Sequence, residues 1–267
     1  MKTKTAASCR LPVLAVIFAA AVASAAGEPL FSENLAATGA TNDQLTERGW
    51  NILRWVDAID TTTYATPTTV SDRSGNSAGI SHPVSGLAFD VSGISYAASA
   101  TVVTPNTGNA SSGILNNGNR FFIGFSSGAD VTDSTSISGI YAVVGDGATT
   151  DTITIAIMTG SPVGANTLFA ATSVSGQLAT NTACRVELRL SSVTATATLY
   201  SGSTVLLTTT YDLAATLTGT PYGAVTIAQR NSTGTNALPF YFSDINVTSA
   251  IPEPKTAAAI VAAAATL

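Results

Sequence analysis

The stretch Cys184-Arg185-Val186-Glu187-Leu188-Arg189-Leu190 switches between apolar and charged residues at every step. Cys184, Val186, Leu188 and Leu190 lie on one side, and Arg185, Glu187 and Arg189 on the other. A period of two is the pattern of a β-strand with one buried and one solvated face. Ser191-Ser192 ends this run, Val193–Tyr200 forms a second, Ser201-Gly202-Ser203 supplies a tight turn, and Thr204–Tyr211 forms a third. Residues 184–211 therefore read as three antiparallel strands in a meander.

The same grammar extends in both directions. Arg120–Phe125, Ser138–Val144, Thr152–Met158, Leu168–Val174, Ala224–Arg230 and Pro239–Val247 are short β-branched or aromatic runs set apart by Gly, Asn, Asp and Pro. Towards the N-terminus, Leu30–Asn34, Trp50–Val56, Gly86–Val91 and Ala98–Val103 also read as strands, although Leu45–Ala58 fits a short helix as well. Thr61–Ser81, with Thr61-Thr62-Thr63, Pro67 and Gly75, is the longest irregular segment and is expected to be an exposed loop. Helix-forming Glu, Lys, Gln and Met are scarce, so the fold class is all-β. A dozen or so strands without a composition break or internal repeat predict one antiparallel β-sandwich, of jelly-roll type, over residues 27–250.

The N-terminus stands apart. Lys2, Lys4 and Arg10 precede the apolar run Leu11–Val22, and Ala23-Ser24-Ala25 followed by Ala26 fits the small-residue cleavage pattern, with Ala23, Ala25 and Ala26 as its key positions. Residues 1–25 thus read as a secretory signal peptide, since the apolar run falls short of the ~20 residues that span a bilayer. Its removal leaves 8 basic residues against 16 acidic, a net charge of −8 in place of −5. The remaining arginines (Arg48, Arg54, Arg73, Arg120, Arg185, Arg189 and Arg230) are scattered singly and Lys255 is the only lysine, so no basic stripe exists to hold nucleic acid. Cys9 goes with the leader, ahead of its apolar core where no lipid-bearing cysteine would sit, and Cys184 is left alone. No internal disulfide and no zinc cluster is then possible, and the fold must be held by burial.

Two resemblances follow from particular residues. Leu30-Phe31-Ser32-Glu33-Asn34, Arg120-Phe121-Phe122-Ile123-Gly124-Phe125, Arg185–Leu190 and Phe240–Val247 resemble strands of the concanavalin-A-like (LamG) jelly rolls of secreted bacterial proteins. Ile251-Pro252-Glu253-Pro254, followed by an Ala-rich run, is similar to the PEP-CTERM sorting signal, with Pro252, Glu253 and Pro254 matching the triplet. That resemblance implies processing by an exosortase-type enzyme, transient membrane contact through leader and tail, and a setting at the cell surface or in a matrix of extracellular polysaccharide. The tail departs from the pattern: Ala257–Leu267 is 11 residues, no Arg cluster follows, and residues 251–267 read as a short or truncated signal.

Motifs for chemistry are weak. Gly124-Phe125-Ser126-Ser127-Gly128 matches G-x-S-x-G, yet a turn-like polar stretch follows where a nucleophile elbow needs a helix. His82, between Ser81 and Pro83, reads as a solvated loop side chain, and nothing selects a Ser and an Asp to act with it. Concanavalin-like glucanases carry E-x-D-x-x-E along one strand, a spacing missing here. Glu187 is instead flanked on its own face by Arg185 and Arg189, and the nearest following carboxylate in sequence is Asp212. The loop pairs Asp57/Asp60, Asp130/Asp133 and Asp146/Asp151 suit turns, and a structural calcium is the one cofactor they leave open. Trp50 and Trp55 are candidates for stacking on sugar rings; at odd separation on a strand, one faces inward and the other outward. The expectation is an exported, non-catalytic structural or adhesive module. A carbohydrate-binding, lectin-like module is the alternative, marked by aromatics and amides on one sheet face or in the loops, and a polysaccharide hydrolase comes third.

Overall fold

A computed structural model describes residues 27–38, 41–53, 56–60, 65–68, 77–90, 93–103, 120–128, 137–146, 152–175, 183–230 and 241–250. The chain opens with β1 (Glu28–Glu33), a single helical turn α1 (Leu35–Thr38) and a short helix α2 (Asn42–Glu47). Then come β2 (Asn51–Leu53), β3 (Val56–Asp60), β4 (Ala65–Thr68), β5 (Ser77–Pro83), β6 (Ser95–Val103), β7 (Arg120–Ser126) and β8 (Gly139–Asp146). The remainder is β9 (Thr152–Gly160), β10 (Asn166–Ser175), β11 (Ala183–Ser191), β12 (Thr194–Ser201), β13 (Thr204–Asp212), β14 (Ala224–Arg230) and β15 (Tyr241–Ala250).

These strands form two antiparallel sheets. Sheet A runs β13-β12-β11-β6-β15-β4-β3, with β1 also paired to β15, and sheet B runs β10-β9-β8-β7-β14-β5-β2. The 184–211 meander is present as β11-β12-β13, in register from Arg185↔Tyr200 to Leu190↔Ala195 and from Thr198↔Thr208 to Thr194↔Asp212. Strands distant in sequence interleave: β14 sits between β7 and β5, and β15 beside β6. The chain is the all-β jelly-roll sandwich that its period-two runs predict.

Alternation decides what lies between the layers. Val186, Leu188 and Leu190 join Ala98, Ala100, Ala195, Ala197, Phe242 and Val247 from sheet A in one core with Phe121, Ile123, Phe125, Ile155, Ile157 and Ile227 from sheet B. Small residues recur on β6 and β12 while bulky ones dominate β7 and β9, which lets the two inner faces interdigitate. Sheet B has a second apolar face: Leu53, Phe122, Ile137, Tyr141, Val143, Ala156, Met158, Val163 and Ala228 form a separate buried cluster. With both faces covered, all seven residues of β7 are buried. Gly124 belongs to this crowding, because a Cβ there would strike the backbone of Ile140 and Tyr141 on β8.

Several N-terminal expectations need correction. The Thr61–Ser81 segment expected as a loop contains β4 and the start of β5; β5 is held between β14 and β2, a pairing of distant segments that local composition does not reveal. Residues 86–90 of the expected strand Gly86–Val91 are turns and irregular chain. The ambiguity over Leu45–Ala58 resolves as both: α2 ends at Glu47 and strands begin at Asn51 and Val56. Thr41 caps α2 through a reciprocal pair with Gln44. Gly49, at φ 86, closes its far end, with the Gly49 N–H donating to Thr46 O and the Trp50 N–H to Leu45 O. This left-handed cap turns the chain so that Trp50 enters the core.

Candidate binding face

The side chains opposite the core on β11 are the charged ones of the opening heptapeptide. Glu187 is nearly buried, and its Oε2 accepts from Arg185 Nη1 at 2.9 Å while its Oε1 accepts from Arg189 Nη2 at 3.4 Å. Both arginine side chains keep 44% exposure against 10% for the carboxylate. The Arg185 guanidinium also lies 3.9 Å over the ring centroid of Tyr200, its cross-strand neighbour. This cation–π contact anchors the guanidinium while nearly half of its side chain stays open to solvent.

Hydroxyl rows flank this charged centre. Thr194, Thr196 and Thr198 stand on the same face of β12, and Thr208 and Thr210 oppose the last two from β13. Thr196 and Thr210 share a hydrogen bond of 3.2 Å, and Thr208 Oγ1 donates to Thr198 Oγ1 at 3.4 Å. On the other side, Thr101, Ser99 and Ser95 of β6 lie opposite Arg185, Glu187 and Ser191. Asn246 of β15 lies opposite Ser99 and accepts from Ser32 Oγ at 2.8 Å. Among the described residues, the outer face of sheet A is thus a platform of hydroxyls and an amide around two guanidiniums and a tethered carboxylate, with Asp212 exposed opposite Thr194 at its β13 end. Its Thr rows were legible as Thr at every second residue of two adjacent runs, a signal that the sequence reading left unused.

Other candidates find different places. Trp50 is the inward-facing tryptophan: it is 2% exposed and its Nε1–H donates to Glu33 Oε2 at 2.6 Å. Phe31 meets it edge-on at 5.8 Å and His82 at 5.2 Å, which leaves no ring face for a sugar. Trp55 lies outside the described residues. His82 is not a loop side chain: it stands on β5, stacked on Phe31 at 4.5 Å. Its Nδ1 lies 2.6 Å from Pro83 O and its Nε2 3.1 Å from Arg48 O, so backbone carbonyls occupy both nitrogens and neither serves a triad. Ser126 of the G-x-S-x-G stretch is fully buried on β7 and bonded to Thr226 Oγ1 at 2.7 Å, with no helix following among the described residues. A buried strand residue cannot act as the exposed nucleophile of a sharp turn.

Among the described residues no three His, Cys, Asp or Glu side chains gather as metal ligands. Asp130, Asp133 and Asp151 and the side chains of Asp57, Asp60 and Asp146 lie outside the description, as do Ala23, Ala25, Ala26, Pro252, Glu253 and Pro254. Burial pushes the Cys184 thiol up, and desolvation followed by the nearby charge of Arg230 brings Arg120 down to about 10. Neither lies on the open face of sheet A: Cys184 points into the core and Arg120 is buried at the start of β7.

No known protein-family profile matches the chain, and no curated protein matches its sequence. Solved structures do match in fold. The CBM2 module of the evolved Dit of Lactobacillus casei BL23 phage J-1 aligns with TM-score 0.53 at 11% identity, covering 85% of this chain and 99% of that one. The exoplasmic/lumenal domain of VIP36 in its Ca2+/Man2-bound form aligns with TM-score 0.51 at 12% identity, covering 84% and 88%. Lectin II from Ulex europaeus covers 83% and 99% at 16% identity, with TM-score 0.46. At these identities the likeness is one of fold: the chain shares the β-sandwich of that CBM2 module and of that VIP36 domain.

Proposed function

We propose that this chain is an exported, non-catalytic carbohydrate-binding module that holds a polysaccharide on the outer face of sheet A. The observation that carries the reading is the half-exposed pair Arg185 and Arg189, bridged by Glu187 and bordered by rows of threonine hydroxyls. A guanidinium presents up to five N–H donors in a plane, matching neighbouring sugar hydroxyls, and threonine hydroxyls both donate and accept. The fold shared with a CBM2 module and with a domain captured in a Ca2+/Man2-bound form supports this reading over a purely structural role. Absence of hydrolysis belongs to the same proposal: both oxygens of Glu187 are engaged by arginines, leaving neither to protonate a leaving group.

The leader and the Pro252-Glu253-Pro254 tail place the module, in this proposal, outside the cell after cleavage near Ala25 and processing by an exosortase-type enzyme. Its partner there is the extracellular polysaccharide. The test is to incubate the purified chain with a panel of bacterial and plant polysaccharides, with and without calcium, and to read both retention and release of shorter sugars. Retention without release, weakened at least ten-fold in Arg185→Ala and Arg189→Ala, is the expected result. Release of short sugars would make the chain a hydrolase, and no retention on any polysaccharide would return it to a structural or adhesive module.

A further inference from the structure

We propose that this chain pairs with a second copy of itself along the sandwich side where β13 and β10 lie together, joining β13 to β13 antiparallel across a two-fold axis. Among the described residues β13 pairs only with β12 and β10 only with β9, so each ends its sheet with a row of free backbone N–H and C=O groups. The two edges lie side by side, with Phe169 of β10 stacked on Tyr211 of β13 at 4.5 Å.

Protection of sheet edges is uneven in this molecule. β1 carries Glu28, Pro29 and Glu33, β2 is three residues long, and β3 is five residues long with Asp57 and Asp60. Charge, proline and brevity are the devices that keep edges from pairing. β10 and β13 lack these three: they are ten and nine residues long, contain no proline, and bear one charge between them, Asp212, and each breaks its regular pairing at a single bulge, between Leu168 and Ala170 and between Val205 and Leu207. Every large hydrophobic exposed among the described residues also sits here: Leu168 and Val174 on β10, Val205 and Leu206 on β13, and Val193 in the turn before β12.

The occupant is a second copy because this side carries a single charge, Asp212, in a chain whose net charge is −5, and a two-fold axis at Thr208 sets the two Asp212 residues at opposite ends of the paired strands, so two such sides meet with little repulsion. A two-fold axis at Thr208 sets Val205 opposite Tyr211 and Leu206 opposite Thr210, and keeps each Asp212 beside a Thr204 hydroxyl. Together the two edge strands supply close to the ~20 residues per partner of a standard interface. Sheet A would run on through the pair, doubling the polar platform without covering it.

Sedimentation velocity on the full chain and on Val205→Lys/Leu206→Lys tests this, with thermal melting of both as the check on folding. Both positions are solvent-exposed, so the double variant is expected to fold with an unchanged melting temperature. The wild type is expected to sediment as a dimer at micromolar concentration, and the variant as a monomer at least ten-fold above the wild-type dissociation constant. A wild type that stays monomeric up to 100-fold higher concentration would overturn the proposal. So would a double variant that remains dimeric, or dissociation by Val193→Lys alone, which would assign association to an apolar patch without strand pairing.

Discussion

Tyr141 is fully buried, and its hydroxyl has no hydrogen-bond partner among the described residues. An unpaired buried hydroxyl costs stability, so Tyr141→Phe is expected to fold as well as the wild type or better, by up to ~1 kcal/mol in urea denaturation at neutral pH. Burial, with a smaller effect of Tyr222, raises the Tyr141 pKa well above its ordinary 10.0. The unfolded chain therefore ionises this group first: stability is full below pH 10 and falls as pH rises past it. Tyr141→Phe is expected to flatten that alkaline limb, and an unchanged limb would assign it to Tyr222, whose burial raises it in the same direction. Glu33 is the converse case, a carboxylate receiving Arg48 Nε and Trp50 Nε1, each at 2.6 Å. Glu33→Gln turns one acceptor into a donor facing a donor, and a loss of ~1–3 kcal/mol by the same denaturation assay is expected.

Among the elements, β7 shows how tightly sheet B is set. Gly124→Ala would drive a methyl into the Ile140 carbonyl, so β7 and β8 would have to part. Overpacking of this kind typically costs ~1–3 kcal/mol, visible as a lowered melting temperature. β11 is legible in the sequence alone because its alternation is strict and the meander it opens, β11-β12-β13, is local. β5 was missed because Ser77-Ala78-Gly79-Ile80-Ser81 has little β-propensity, and its pairing to β14 bridges residues about 150 apart in sequence. The cap Thr41-x-x-Gln44 was present as a capping-box signal and went unread beside the apolar residues that follow it.

For the molecule as a whole, the sandwich buries the cysteine at the start of β11. Cys184 is 5% exposed and its thiol is pushed up by desolvation. With residues 1–25 removed, the native chain is expected to react slowly with a thiol reagent at pH 8 and to release one equivalent on unfolding, as a colorimetric titration would read. Rapid reaction in the native state would mean that the β11 end of the core opens freely.

Period-two alternation, scarce helix formers and turn spacing were enough to establish an all-β sandwich, and the leader, the Pro252-Glu253-Pro254 triplet and the single arginines set expectations of compartment and partner. These are local properties of the chain, readable because backbone periodicity and composition act within a few residues. The candidate face could not be read in that way. Arg185, Glu187 and Arg189 gain their meaning from Tyr200 and Thr198 on one side and Ser99 and Thr101 on the other, which only strand register brings opposite them. Trp50 lost its role as a sugar platform for the same reason: Phe31 and Glu33 of β1 and His82 of β5 come together to enclose it. Burial and cross-strand neighbours are set by long-range pairing, and a linear sequence lists its residues without saying which of them will meet.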